Sequence, residues 1–339
     1  MLEKPDIQDE KIVACLQAEY GLPVAQIAFL PLGADSNSAV YRVTTTDGAS
    51  YFLKLRGGHF DEASVAVPRY LADRGMKEVI PPLVTRDGKL WASLATFKAM
   101  LYPYVDGRNG IETRLGERQW IQFGAALKKL HATDIPPVIT RGTPREEFSP
   151  RWREKVVMFL EHIRQSAFVE PVAAEMAAFL GTKTAELLRI VDRARQLSQA
   201  LKQESPEYVL CHADIHAWNL LVDGSGALYL VDWDTLTFAP EERDLMFVGA
   251  AIGNTGYPPQ EEERLFYHGY GPARLNQGAM AYYRYERIIE DIAVYCQQIF
   301  LSEGGGQDRE PALDSVRSNF LPGGTLERAY QSDNMLRRC

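Results

Sequence analysis

The sequence predicts an α+β fold of two unequal parts, a small one built on an antiparallel sheet and a larger, mainly helical one. Three observations carry this. The hydrophobic period is two through residues 26–55, and it becomes helical from about residue 116 onward. The helical text is interrupted at residues 208–234 by two short apolar runs about Asp223-Gly224, a hairpin signal. The 339 residues, 46% apolar and 24% charged, suffice for one large two-lobed domain or two ordinary ones.

Residues 7–20 place Ile12, Val13 and Leu16 at helical spacing, and Gly21 ends the run. Segments 26–32, 38–46 and 49–55 are rich in Val, Tyr, Thr and Phe, with Asp47-Gly48 turning the chain between the last two. Residues 60–74 read as a helix despite Pro68, stopped by Gly75. Asp87-Gly88 signals a further hairpin before the strand-like LWASLA and FKAMLYPYV. Helices follow in GERQWIQFGAALKKLHA, SPRWREKVVMFLEHIRQ, residues 170–203 and AMAYYRYERIIEDIAVYCQQIF. Gly304-Gly305-Gly306 breaks the chain before a polar tail. The join between the parts is placed near Tyr102–Asp106, giving a first lobe over 1–105 and a second over 106–339.

A net charge of −8 argues against a nucleic-acid partner, because neutralising phosphates takes clustered Lys and Arg; it suits a small cationic substrate. The four cysteines are scattered without a C-x-x-C pair, as in a reducing compartment. The opening MLEKPDIQDEK has no apolar run behind a basic start, and no apolar stretch approaches the roughly 20 residues that cross a bilayer. A cytoplasmic protein without a membrane partner is expected, as a monomer or weak dimer.

Residues 211–219, CHADIHAWN, carry the chemistry. His212, Asp214 and His216 alternate and on a strand would share a face able to ligate a metal. The other four histidines are isolated, so a hydrolytic metal site would be short of ligands. The rival pattern is H-x-D-x-x-x-x-N, filled by His212, Asp214 and Asn219, followed by a hairpin and then Asp232 in LVDWD. Phosphoryl transfer needs an aspartate to orient and accept the proton of a hydroxyl, and oxygen ligands for Mg2+. Asp214 is the candidate base, and Asn219 and Asp232 the metal ligands, which the hairpin returns to one place.

Upstream, YFLKL sets Lys54 among alternating apolar residues, where a charged side chain wants a specific partner. Glu62 on the next helix is the expected partner, aiming the ammonium at nucleotide phosphates. LGADSNSAVYRV offers a small-residue turn, with Gly33 and Ser36, whose backbone N–H groups could cover those phosphates.

These motifs, in this order, resemble the aminoglycoside phosphotransferase family of small-molecule kinases. The resemblance runs from near residue 1 to about residue 300. It includes SPRWRE, YVLCHADIHAWNLLV, DWD, APEERDLMFVG and YYRYERIIEDIAVY. It implies a two-lobed protein-kinase-like fold, and ATP and Mg2+ as cofactors. The implied acceptor is a hydroxyl of an aminoglycoside or aminocyclitol antibiotic, spectinomycin first. In the family MLYPYV, with Tyr102 and Tyr104, offers backbone groups to adenine. Tyr283, Glu286 and Glu290, spaced by three and four on one helix, read either as a solvated face or as a polar wall for the acceptor's amines; His216 and Trp233 are further acceptor candidates. The departures are a phosphate loop without G-x-G-x-x-G, H-A-D for H-R-D and D-W-D for D-F-G. The short span from Asp234 to Asp244 leaves no room for an activation loop, favouring a small-molecule kinase. The same chemistry on methylthioribose, homoserine, choline or a sugar is the alternative; a nucleotide-binding pseudokinase is another.

Overall fold

The structure, a computed structural model, describes residues 4–33, 37–250, 252, 255–301 and 309–336. The fold is α+β, and the chain divides into two compact units, Met1–Pro144 with Ala217–Leu236, and Arg145–His216 with Thr237–Cys339.

In the first unit, α1 (Asp9–Cys15) runs on as a π-helical turn to Tyr20, and Gly21 at φ 69° ends it. A five-stranded antiparallel sheet follows, in the order β1-β2-β3-β5-β4: β1 (Val24–Leu30), β2 (Ser38–Thr45), β3 (Ser50–Arg56), β5 (Phe97–Pro103) and β4 (Ala92–Leu94). The register sets Lys54 between Val40 and Met100. Because strand side chains alternate, Tyr41, Val43, Leu53, Leu55, Ala99 and Leu101 share one face and bury Ile12 and Leu16 against it. The same alternation puts Phe52, Lys54 and Arg56 on the opposite face. Helix α2 (Ala63–Asp73) holds Pro68 within it, as expected.

Asp87-Gly88 makes a tight turn, with Thr85 N–H on Lys89 O at 2.7 Å, but no strands flank it. The hairpin forms instead between β4 and β5, at Ala95-Thr96. Pro81-Pro82 upstream cannot donate to a ladder, which removes the first arm of the expected pair.

The first unit continues past residue 105. A second sheet orders β6 (Gly107–Asn109), β8 (Leu220–Asp223) and β9 (Leu228–Leu230), preceding and following α3 (Gly110–Thr113) and α4 (Glu117–Ala132) in sequence. Two glycines permit the approach: a Cβ on Gly107 would lie 2.6 Å from Val222 O, and one on Gly110 2.8 Å from Ala217 O. Backbone cannot yield there as a flexible side chain could, so the hairpin carrying Asn219 and Asp232 is built into this unit.

The second unit is helical. Its long members are α5 (Arg151–Gln165), α6 (Pro171–Glu204) and α9 (Gln277–Phe300); β7 (Val209–Cys211) pairs with β10 (Thr237–Ala239), and α7 (Glu242–Leu245) and α8 (Pro259–Tyr270) follow. Helix α9 buries Tyr282, Tyr283, Tyr285, Ile288, Ile289 and Ile292. The polar tail read from the sequence forms two helices for which the sequence reading assigns no periodicity; the glycine break at 304–306 lies outside the described residues. α10 (Arg309–Ser318) and α11 (Thr325–Leu336) bury Ala312, Leu313, Val316, Leu326 and Ala329, and Arg193 of α6 forks onto Asp333 at 2.9 and 2.5 Å. The apolar residues there are few and interleaved with charges, so their period is diluted.

Candidate active site

In the second unit, β7 delivers the chain into the loop His212–His216. Asp244 on α7, wholly buried, accepts from His212 N–H at 2.9 Å and Ala213 N–H at 2.6 Å. Between them Ala213 is held at φ 68°, a left-handed conformation that costs a non-glycine residue about 1–3 kcal/mol and persists only where the surroundings enforce it. Asp244 enforces it by accepting from both N–H groups.

Asp214 follows. Its Oδ1 lies 2.5 Å from Arg287 Nη1 and 3.3 Å from His216 Nε2. Burial pushes the Asp214 carboxyl up, but His216 and the Arg287 guanidinium outweigh it and hold the group well below the usual carboxylate range. Asp214 is therefore an anion throughout the physiological range. The alternating metal trio does not assemble: among the described residues His212, Asp214 and His216 form no ligand cluster, and His212 is wholly buried.

In the first unit, Lys54 Nζ sits 2.8 Å from Asp232 Oδ1 and 2.8 Å from Asp234 Oδ2. Burial alone would lower its pKa, yet the two carboxylates hold it above the ordinary lysine value, so the ammonium stays charged. The expected Lys54–Glu62 pair does not form: Glu62 is exposed at the N-terminal end of α2, and Asp234 supplies a carboxylate in its place. Arg56, two residues on along the same strand face, reaches Asp234 at 3.4 Å and Ser38 Oγ at 3.0 Å. Arg56 and Asp234 were not expected from the sequence, although the i, i+2 spacing from Lys54 and the second aspartate of D-W-D are visible in it.

Asn219 and Asp232 are neighbours through the hairpin, since Val231 N–H donates to Asn219 O at 3.1 Å. Asp232 is itself left-handed at φ 66° and its side chain is half exposed. An amide oxygen and a carboxylate, without sulfur or imidazole, are donors that fit a hard divalent cation. Gly33 stands at φ 87° with open space where a Cβ would be, as a turn glycine requires. Ser36 lies outside the described residues. Tyr102 faces Phe52 edge-on at 6.4 Å on β5, and Tyr104 gives its N–H to Ser50 O at 3.3 Å and its ring to Arg42 at 4.5 Å.

The expected acceptor wall on α9 divides. Tyr283 is buried edge-on against Tyr282, and Glu286 is buried and paired with Arg153 at 2.9 Å, so neither lines an open surface. Trp233, in the first unit, is likewise buried, its Nε1–H on Leu230 O at 3.2 Å. A buried carboxylate must find a cation, and the chain supplies Arg153 before any acceptor can. Glu290 is 27% exposed and lies 3.8 Å from Arg243. Arg287 and His216 reach the base; the α9 spacing shows Arg287 in the sequence without showing its target.

Glu286 carries a pH prediction. Burial pushes its carboxyl up to about 7 against the pull of Arg153. The folded chain then keeps a proton that an unfolded glutamate, near 4.3, has lost, so this contribution to stability declines as pH rises from about 4 to 7. Glu286→Gln should flatten that decline. Between about pH 5 and pH 8 the wild type should lose on the order of 1–3 kcal/mol more than the variant. Urea midpoints at both pH values check this, and parallel curves would exclude it.

Comparison with known proteins places the chain in a family. Residues 28–277 match the family model described as the APH phosphotransferase enzyme family. The crystal structure of spectinomycin phosphotransferase APH(9)-Ia with ADP and spectinomycin superposes with a TM-score of 0.88, at 35% identity, covering 97% of this chain and 99% of that one. Amicoumacin kinase hAmiN, in complex with AMP-PNP, Ca2+ and Ami, shares the fold at TM-score 0.61 and 17% identity, covering 92% of this chain and 93% of its own. Protein StrN of Streptomyces griseus is 26% identical over 234 residues, 64% of this chain and 67% of that protein. No helix among the described residues is long and apolar enough to cross a membrane. With a braced aspartate loop, a lysine held by carboxylates and a family match over most of its length, this chain belongs to the APH phosphotransferase enzyme family and has the kinase-like fold of that family.

Proposed function

We propose that the chain is an ATP- and Mg2+-dependent O-phosphotransferase acting on a hydroxyl of an aminocyclitol antibiotic, spectinomycin first, with resistance as the outcome. The observation that carries the acceptor is the 35% identity to spectinomycin phosphotransferase over 97% of this chain. The acceptor hydroxyl donates to Asp214 and attacks the γ-phosphorus in line, passing its proton to that carboxylate as the new O–P bond forms and the bond from phosphorus to the β,γ-bridging oxygen breaks, so that ADP leaves. Lys54 binds the α- and β-phosphates, with Asp234 in the orienting role that the sequence reading gave to Glu62. Asn219 and Asp232 would hold the Mg2+, which would supply positive charge against the phosphates. Use of ATP and cysteines without paired spacing favour a cytoplasmic site of action.

The test is ADP release by the purified enzyme with spectinomycin, a panel of aminoglycosides, and choline. Turnover should be at least about 100-fold faster with spectinomycin, corresponding to some 2.7 kcal/mol of discrimination. EDTA should stop it and added Mg2+ restore it. Turnover of choline with none of spectinomycin would overturn the acceptor while leaving the phosphoryl chemistry intact.

A further inference from the structure

We propose that Arg287 is the positioning residue for Asp214, fixing one oxygen of the carboxylate so that the base is presented in a single orientation. The inference rests on reading Asp214 as the base. The guanidinium is used as a fork. Nη1 lies 2.5 Å from Asp214 Oδ1, and Nε lies 3.0 Å from Asp291 Oδ1, one turn further along α9. A lysine meets two carboxylates only where both converge on one nitrogen, as at Lys54, whereas the guanidinium here offers a separate nitrogen to each. The arginine also lies over the Phe247 ring at 5.5 Å, and the His216 ring meets Phe247 edge-on at 5.6 Å. One aromatic side chain thus seats Arg287 and His216, which approach Asp214 Oδ1.

The support is rigid. Arg287 projects from a 24-residue helix that buries Tyr282, Tyr283, Tyr285, Ile288 and Ile289 in the core of the unit. Its side chain and that of Asp214 are each 23% exposed, so this is no solvent-screened surface pair. The charged and titratable groups around Asp214 are His216 on its own loop and Arg287, Asp291, Glu290 and Tyr295 on α9. Arg287 is the one cation on α9 among them.

A guanidinium on the base lowers its proton affinity, which a strong general base could not tolerate. Phosphoryl transfer passes through a loose transition state in which positioning and charge stabilisation dominate. There, a weakly basic carboxylate with a fixed plane serves better than a strong one that turns.

Arg287→Met and Arg287→Lys test this with ATP and spectinomycin, alongside 13C NMR titration of the Asp214 carboxyl. Arg287→Met should lower kcat about 10- to 100-fold with KM for ATP unchanged within about threefold. Its Asp214 titration should move up by about one pH unit or more. Arg287→Lys should keep that titration near wild type, since the charge remains, yet recover only part of kcat, since the fork is lost. Wild-type kcat in Arg287→Met would overturn the proposal. So would a kcat loss matched by loss of folded protein while Asp214 titrates as before. If Arg287→Met does not fold, Arg287→Lys decides, and full kcat there overturns it. Should the wild type ignore spectinomycin, the substrate reading has failed and the NMR titration still decides; should Asp214→Asn remain active, the base reading has failed.

Discussion

Asp214→Asn is expected to lower kcat about 10^3-fold while nucleotide affinity stays within about threefold of wild type. Asparagine keeps the size of the side chain but can neither carry the negative charge nor take a proton from the acceptor hydroxyl. The structure separates the two effects. Asp214 is in the helical unit, whereas Lys54, Asp232 and Asp234, the groups proposed to bind phosphates and metal, are in the other. Nucleotide affinity by calorimetry and kcat by ADP release therefore report on different parts of the chain. The depressed carboxyl adds a pH signature. Being held well below its ordinary value, it contributes stability above about pH 4 and loses this only as pH falls through the folded value. From about pH 5 to 8 the wild-type kcat should show no acid limb from this residue. A variant with kcat within tenfold of wild type, or a wild-type acid limb that vanishes in Asp214→Asn, would remove Asp214 from the mechanism.

The groups that the sequence shows best are those whose partners lie close along the chain. Asn219 and Asp232 flank an Asp-Gly hairpin, and a hairpin leaves the return path almost no freedom, so their meeting at Val231 follows from local turn chemistry. Lys54 shows equally well, because a charge at mid-strand among core residues has few explanations. Its partner is harder to find: Glu62 is near in sequence, yet Asp232 and Asp234, 178 and 180 positions away, hold the ammonium. The α9 carboxylates fail for the same reason. Tyr283, Glu286, Arg287 and Glu290 share a spacing, but which of them faces the core depends on where Arg153, Arg243 and Asp214 arrive from distant segments. Periodicity reports that a helix has faces, and long-range ion pairs decide what each face meets. The last two helices are obscured differently, by sparse apolar residues interleaved with charges, although these are buried and Arg193 clamps Asp333 beside them.

Asp244→Ala should cost about 2–5 kcal/mol of stability and lower kcat by at least tenfold. The carboxylate is wholly buried and accepts two consecutive backbone N–H groups, from His212 and Ala213. Alanine leaves both donors in the interior without an acceptor, at about 1–3 kcal/mol each. It also removes the clamp that holds Ala213 at φ 68°. Release of that strain offsets part of the loss, and the released loop carries Asp214 away from Arg287 and His216. Asp244→Asn discriminates further: its amide oxygen can accept one of the two N–H groups, while its NH2 group opposes the other, so it should recover less than half of the lost stability. Ala213→Gly tests the strain directly. Glycine adopts the left-handed conformation without penalty, so it should leave stability unchanged or raise it by up to about 1 kcal/mol, with kcat preserved. Thermal unfolding followed by calorimetry, with kcat at a temperature where every variant is folded, reads both quantities. Stability of Asp244→Ala within about 0.5 kcal/mol of wild type would mean that the loop is held by something other than this carboxylate. A stability loss with kcat intact would mean that its bracing of the loop is not what places Asp214.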